Sequence, residues 1–291
     1  MTRQYFILAT GVISVSFAAI FIRLAEAPPL VIAAYRLCLA SLVIVPAAWA
    51  HSADELRRIS RRNTIMALLS GVFLALHFGL WIASLSYTSV ATSVVLVTTT
   101  PIFVAIASYF LFQEKLSMQI FLGIIISLIG SILIGYGNWS LGSSPLFGGI
   151  LALLGALAVA GYLIIGRCLL RSIGLLSYAS LTYSSAAVLL LLSTLIFGYR
   201  LVGYSNTTYI MLVLLAVVPQ LIGHSSLNWS LRFVLATLVT IAILGEPIGA
   251  TALAFLILNE APTLWEIGGG ILILGGIFIA FRENEMLRGQ R

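Results

Sequence analysis

Long apolar runs of about 20 residues, parted by short polar breaks, follow one another along the whole chain. A hydrocarbon core of ~30 Å and a helical rise of ~1.5 Å per residue require about that length for one crossing. Ten runs satisfy it, approximately 4–23, 29–50, 64–84, 89–112, 117–136, 146–167, 174–198, 208–231, 234–257 and 263–281. The breaks are Pro28-Pro29, the charged stretch His51 to Asn63, Tyr87-Thr88, Gln113-Glu114-Lys115, the loop Gly137 to Pro145, Gly203 to Thr208, and Pro262. The pattern predicts an all-α membrane protein with ten transmembrane helices. The first run, with Arg3 before it and Ala25-Glu26-Ala27 after it, also has the outline of a secretory signal. Its apolar stretch is longer than a usual signal core, and it is read as a span.

A pattern recurs between the halves. Thr100-Pro101, Glu114-Lys115-Leu116, Gly123 and Gly130 return 146 residues later as Glu246-Pro247, Glu260-Ala261-Pro262, Gly269 and Gly276. Proline to glutamate is 13 residues in both copies, glutamate to the first glycine 9, and on to the second 7. This spacing predicts duplication, with halves at 1–140 and 141–291, five spans each. Five is odd, so the second half enters the membrane from the opposite face and the repeats are inverted. Inverted repeats provide two near-equivalent packings around a midplane site, one open to each side.

Composition agrees with the periodicity: the chain is 61% hydrophobic and 8% charged, against about 25% charged in a soluble domain. Cys38 and Cys168 both lie in apolar segments and read as small buried side chains, not a disulfide or metal pair. With the amino terminus cytoplasmic, 12 Lys and Arg residues fall inside, while Arg23 and Arg200 fall outside. The positive-inside rule therefore places both termini in the cytoplasm. The net charge of +6 follows from this topology and an anionic inner leaflet, with no nucleic-acid partner implied.

Thr100-Pro101 with Phe112-Gln113-Glu114-Lys115-Leu116, and their counterparts Gly245-Glu246-Pro247 with Leu258-Asn259-Glu260, resemble the paired EamA domains of the drug/metabolite transporter superfamily. The resemblance covers roughly 5–136 and 146–282. It implies a ten-helix carrier of small metabolites with a central cavity, and an exporting direction across the plasma membrane. The second hairpin departs from the first in having Ala261-Pro262 where Lys115-Leu116 stand, so an ionic contact common to both is not expected.

Polar side chains inside spans face the bundle interior, a partner or water. His77, Trp81 and Ser84 share one face of the third span, and His224, Asn228 and Arg232 one face of the eighth. The histidines lie 24 and 23 residues before Pro101 and Pro247, so they are expected to meet near a pseudo-twofold axis. His77, Trp81, His224 and Asn228 either line a substrate pocket or bond backbone on neighbouring helices. Arg36, which unpaired at a helix centre costs about 2.5–3.5 kcal/mol, either anchors a substrate carboxylate or pairs structurally, with Glu246 the candidate partner. Glu246, immediately before Pro247 in the ninth span, is a candidate for proton coupling, for pairing with Arg36, or for capping backbone that the proline frees.

Glu114 and Glu260 read as gate contacts or as caps of the following helices, with Pro101 and Pro247 marking the same two units. Gly123, Gly130, Gly269, Gly270, Gly275 and Gly276 read as close helix contacts, as do Gly71, Ala75 and Gly79. The chain has no His-Glu-x-x-His pair, no Gly-x-Ser-x-Gly elbow and no phosphate loop. The expectation is therefore a non-enzymatic secondary transporter of small organic molecules, amino acids or related compounds among them, with no cofactor and no metal. A lipid-handling enzyme or flippase using His77 and His224, and a passive channel, are the alternatives. Two halves in one chain can form a complete pathway as a monomer.

Overall fold

The computed structural model describes residues 2–113, 117–136, 142–258 and 262–289. Ten helical stretches among them are long and apolar enough to span a membrane, from Arg3–Leu24 to Leu264–Arg282. Large apolar side chains such as Leu42, Phe110, Leu146 and Ile196 stand outward, as a lipid-facing surface requires. After α2 (Ala18–Leu24) of the first span, α3 (Pro29–Arg58) forms the second span: it runs past the expected end at residue 50, kinked at Ser52, and the chain breaks at Ile59, inside the charged stretch His51 to Asn63. Beside the kink, His51 Nδ1 lies 3.0 Å from the Ala47 carbonyl oxygen.

Helix boundaries repeat in the register read from the sequence. α3 and α9 (Leu175–Ile196) begin 146 residues apart. So do α5 (Val90–Val97) and α12 (Ala236–Ile243), and α6 (Thr100–Phe112) and α13 (Glu246–Leu258). The last pair, α7 (Met118–Gly135) and α14 (Leu264–Gly289), keeps the same offset. Even the caps correspond. Ser117 accepts from Ile120 N at 3.2 Å, and Thr263 accepts from Glu266 N at 3.2 Å. Glu266 answers by accepting from Thr263 N at 2.7 Å, completing a capping box.

α7 and α14 pack on each other along their length, and glycine lets them. A Cβ on Gly130 would lie 2.5 Å from Gly269 O, and one on Gly123 would lie 2.7 Å from Gly276 O. Midway between, Ser127 Oγ donates to Ile273 O at 3.3 Å, and these two residues are themselves 146 apart. A residue meets its own counterpart only on a twofold axis, so a pseudo-twofold axis passes through this contact. Gly270 and Gly275 are corrected: a Cβ on Gly270 would meet nothing nearer than 3.7 Å, and one on Gly275 nothing within 4 Å. They lie on other faces of the helix. Of the third-span set, Gly71 is crowded by Thr182 O at 2.5 Å, whereas Gly79 has room.

Gly130→Ala is accordingly expected to destabilise by about 1–3 kcal/mol through overpacking against backbone that cannot yield. Gly275→Ala is expected to be neutral or slightly stabilising. Thermal unfolding of the two variants in detergent, read by size exclusion, checks the difference.

The remaining packing exchanges between halves in the same way. α3 packs on α9 across the axis, while α4 (Arg61–Ser84) packs on α9 and on α8 (Pro145–Leu169). Its counterpart, the eighth span, packs on α3 and on α1 (Thr2–Ser16). That eighth span has 25 residues against 24 in α4. It runs as α10 (Asn206–Leu215), a π-helical segment Ala216–His224 around Pro219, and α11 (Ser225–Ser230). A π turn accommodates one extra residue, and such turns cluster at functional sites.

Candidate functional site

Both broken spans turn at a proline near mid-membrane. Pro101 lacks the N–H that would serve Val97 O, and Thr100 supplies the missing donor, its Oγ1 reaching that carbonyl at 2.7 Å. Thr98 Oγ1 donates to Val94 O at 2.8 Å and Thr99 Oγ1 to Leu96 O at 2.7 Å, so hydroxyls hold the break together. In the second half Pro247 deprives Ile243 O in the same manner. Glu246 stands where Thr100 stands in the first half, and an ionised carboxylate has no hydrogen to offer.

Thr100, Glu246, Arg36, His77, Trp81 and His224 line one central cavity of about 50 Å³. Both prolines thus introduce a polar residue to the same space from opposite halves. The two histidines meet there, as their placement predicts, with ring centroids 6.5 Å apart. His77 Nδ1 lies 3.0 Å from Gly155 O and must carry the proton, which leaves Nε2 an acceptor. Trp81 stacks on His77 at 5.8 Å with the planes 9° apart.

Arg36 is fully buried, with no exposed surface. Its Nε donates to Gln220 Oε1 at 2.9 Å, and its guanidinium lies 4.0 Å from the Phe78 ring centroid. Nη1 and Nη2 have no hydrogen-bond partner in the protein. Arg36 and Glu246, expected as partners, face the same cavity within electrostatic reach of each other, and the hydrogen-bond partner of Arg36 in the protein is Gln220, an amide from the π-helical turn. Two further atoms of cavity-lining side chains, the donor Trp81 Nε1 and the ring nitrogen His224 Nδ1, likewise have no hydrogen-bond partner in the protein. Each such group costs about 1–3 kcal/mol, so a cluster of them around one cavity marks a place built to receive something.

Asn228 is brought near but does not line the cavity. Its amide donates to the Tyr162 hydroxyl, and Oδ1 remains without a partner. Ser84, on the Trp81 face, is used in packing, at 2.6 Å from Ser93 Oγ. Pro247 lines a neighbouring space of about 240 Å³ with Arg23 and Glu266, and a second space of about 620 Å³ also contains Arg23, Thr88 and Glu266. Together they form a polar vestibule at one end of the bundle. At the opposite end Glu55 ties the second span to the seventh, accepting from Gly174 N at 2.6 Å and from Ser177 Oγ. Arg167 covers the Phe112 ring at 4.5 Å there. Glu114 and Glu260 lie outside the described residues.

Gln220 and Tyr162 escaped the sequence reading. Gln220 had a signal, being an uncharged polar residue beside Pro219 in an otherwise apolar span. Tyr162 had none, since tyrosine in an apolar helix is ordinary.

The sequence profile of the EamA-like transporter family matches residues 2–136 and 146–282. The uncharacterized transporter YdfC of Bacillus subtilis is 27% identical over 199 residues, covering 68% of this chain and 65% of that one. An uncharacterized transporter of Archaeoglobus fulgidus is 25% identical over 276 residues, 93% of each chain. YxxF of Bacillus subtilis, also an uncharacterized transporter, is 26% identical, covering 85% of this chain and 80% of that one. Among solved structures, a crystal structure superposes with a TM-score of 0.80 at 19% identity, covering 99% of both chains, a likeness of fold.

Proposed function

The chain belongs to the EamA-like transporter family, and from that premise we propose that it is a secondary transporter moving small organic metabolites across the plasma membrane by alternating access. The observation that carries the reading is the central cavity: unmatched buried donors and one carboxyl, contributed by both halves, gathered at the two proline breaks. Five spans per half invert the second repeat relative to the first, and the exchange of helix contacts about the Ser127–Ile273 axis supports this.

Positive-inside bias puts the end with Glu55 and Arg167 in the cytoplasm and the vestibule outside, with both termini cytoplasmic. In this conformation Glu55 ties the second span to the seventh at the cytoplasmic end, and the vestibule is of ligand size. The central cavity, at about 50 Å³, is contracted and must widen to admit a metabolite. Export is the direction the family resemblance suggests, and a monomer suffices for the path. Energy comes from an ion gradient or from the substrate's own gradient.

The test is two-sided accessibility. With Cys38 and Cys168 replaced by alanine, Thr100→Cys is treated with a membrane-impermeant thiol reagent on right-side-out and inside-out vesicles. The reading expects labelling from both faces and protection by transported compounds. Labelling from the vestibule side alone, under every condition, would contradict it.

A further inference from the structure

The fully buried guanidinium on the central cavity is held from outside the cavity lining by an amide that engages only one of its nitrogens. Gln220 sits in the π-helical segment of the eighth span and is itself without exposed surface. Its Oε1 accepts a hydrogen bond from Arg36 Nε, across the packing between the second and eighth spans. Phe78 covers the guanidinium face at 4.0 Å. With Nε and the face both engaged, the plane is fixed and Nη1 and Nη2 are the two groups left for a ligand.

We propose that Gln220 is a positioning residue that holds Arg36 as a receptor for a carboxylate, so that the molecules carried at this site bear a carboxyl group. The proposal rests on the carrier reading above and specifies its substrate class.

Three points carry it. First, a carboxylate accepts two parallel hydrogen bonds from a guanidinium edge, and an edge held in one orientation recognises it better than a freely rotating one. Second, the unpaired groups on the cavity are mainly donors. Trp81 Nε1 joins the two free nitrogens of Arg36, and Glu246 is the one acidic group among the lining residues. Such a surface favours a ligand rich in acceptors. Third, a carboxylate in place of the neutral Gln220 amide would have neutralised Arg36 within the protein. The amide fixes the guanidinium while sparing its charge. The charged and titratable groups facing Arg36 across the cavity are His77, His224 and Glu246, and none of them is its hydrogen-bond partner.

The proposal is tested by counterflow in proteoliposomes loaded with a pooled metabolite extract, used either as prepared or after its carboxyl groups are converted to methyl esters. Mass spectrometry reads the exchanged compounds. Wild-type protein is expected to exchange carboxyl-bearing compounds, at a rate at least tenfold lower once they are esterified. Gln220→Glu, which pairs Arg36 internally, and Gln220→Ala, which frees its plane, should each raise the apparent KM about tenfold, with the maximal rate changed less than threefold.

A residue that only stabilised the bundle would instead lower the amount of folded protein and the maximal rate together, and that result would overturn the assignment. Exchange of neutral or cationic compounds, unaffected by esterification, would overturn the substrate class and leave the carrier standing. No exchange of any compound by wild type would overturn the carrier reading and the proposal with it.

Discussion

Arg36→Met is expected to leave a folded protein whose exchange activity falls at least a hundredfold. Methionine matches much of the arginine stem's volume, and replacing a buried charged group with a well-packed apolar one is often neutral or stabilising. What the substitution removes is a buried guanidinium with two free nitrogens on the central cavity. Hydrogen bonds to charged groups contribute about 1.5–3 kcal/mol each, and two of them amount to about a hundredfold or more in affinity. The substitution also orphans Gln220 Oε1, which now accepts from Arg36 Nε at 2.9 Å. The double variant Arg36→Met/Gln220→Leu removes that orphan and should recover any stability lost by the single one, without recovering exchange. Size exclusion and thermal unfolding in detergent, beside the exchange assay, separate the two effects. Loss of folded protein in both variants would assign Arg36 a structural duty instead.

Glu246→Thr is the second large effect, and the first half of the chain supplies its control. Thr100 already serves the equivalent proline break, donating to Val97 O at 2.7 Å. A threonine at 246 can do the same for Ile243 O, so the variant should fold as well as wild type. If Glu246 carries a proton across with each cycle, a pH gradient of one unit drives about tenfold accumulation per coupled proton, or ~1.4 kcal/mol. Glu246→Thr should abolish that accumulation while exchange at equal pH persists. The carboxyl shares its cavity with Arg36, His77 and His224, so Glu246→Gln serves as a shape-preserving companion. Gradient-driven accumulation that survives both substitutions would remove Glu246 from coupling and return it to the task of holding the break.

The duplication was legible in the sequence because helix starts and close contacts are made by residue types with few substitutes. Proline at 101 and 247 marks the breaks, and glycine at 123, 130, 269 and 276 marks where α7 and α14 meet. The offset of 146 holds from these positions out to the starts of α3 and α9. Gly270 and Gly275 were misread because a run of glycines does not say which member faces the partner; only the seven-residue interval did. The break in the charged stretch His51 to Asn63 falls later than hydropathy places the end of the span, at Ile59, because charge near a membrane surface is compatible with a helix that simply emerges from the bilayer.

At the site, the meeting of His77 and His224 and the presence of Arg36 and Glu246 on one cavity followed from polar residues placed in apolar spans. The Arg36 partner did not. Coulomb attraction singled out Glu246, the acid deepest in a span, whereas the π turn rotates Gln220 onto the guanidinium. A local change of helical pitch redirects side chains by a fraction of a turn, and one extra residue in 25 leaves no mark in hydrophobic periodicity. Asn228, placed by periodicity on the same face as His224, is drawn instead to the Tyr162 hydroxyl on the sixth span.

The central claim is a carrier that alternates, and counterflow tests it most directly. Vesicles containing the purified protein are preloaded with a pooled metabolite extract and diluted into the same extract carrying an isotope label at tracer concentration. The account predicts transient accumulation of label in a defined set of compounds, saturable and accelerated by the unlabelled compound on the opposite side. Label that equilibrates without overshoot, at a rate proportional to concentration, would mark a passive channel and contradict it.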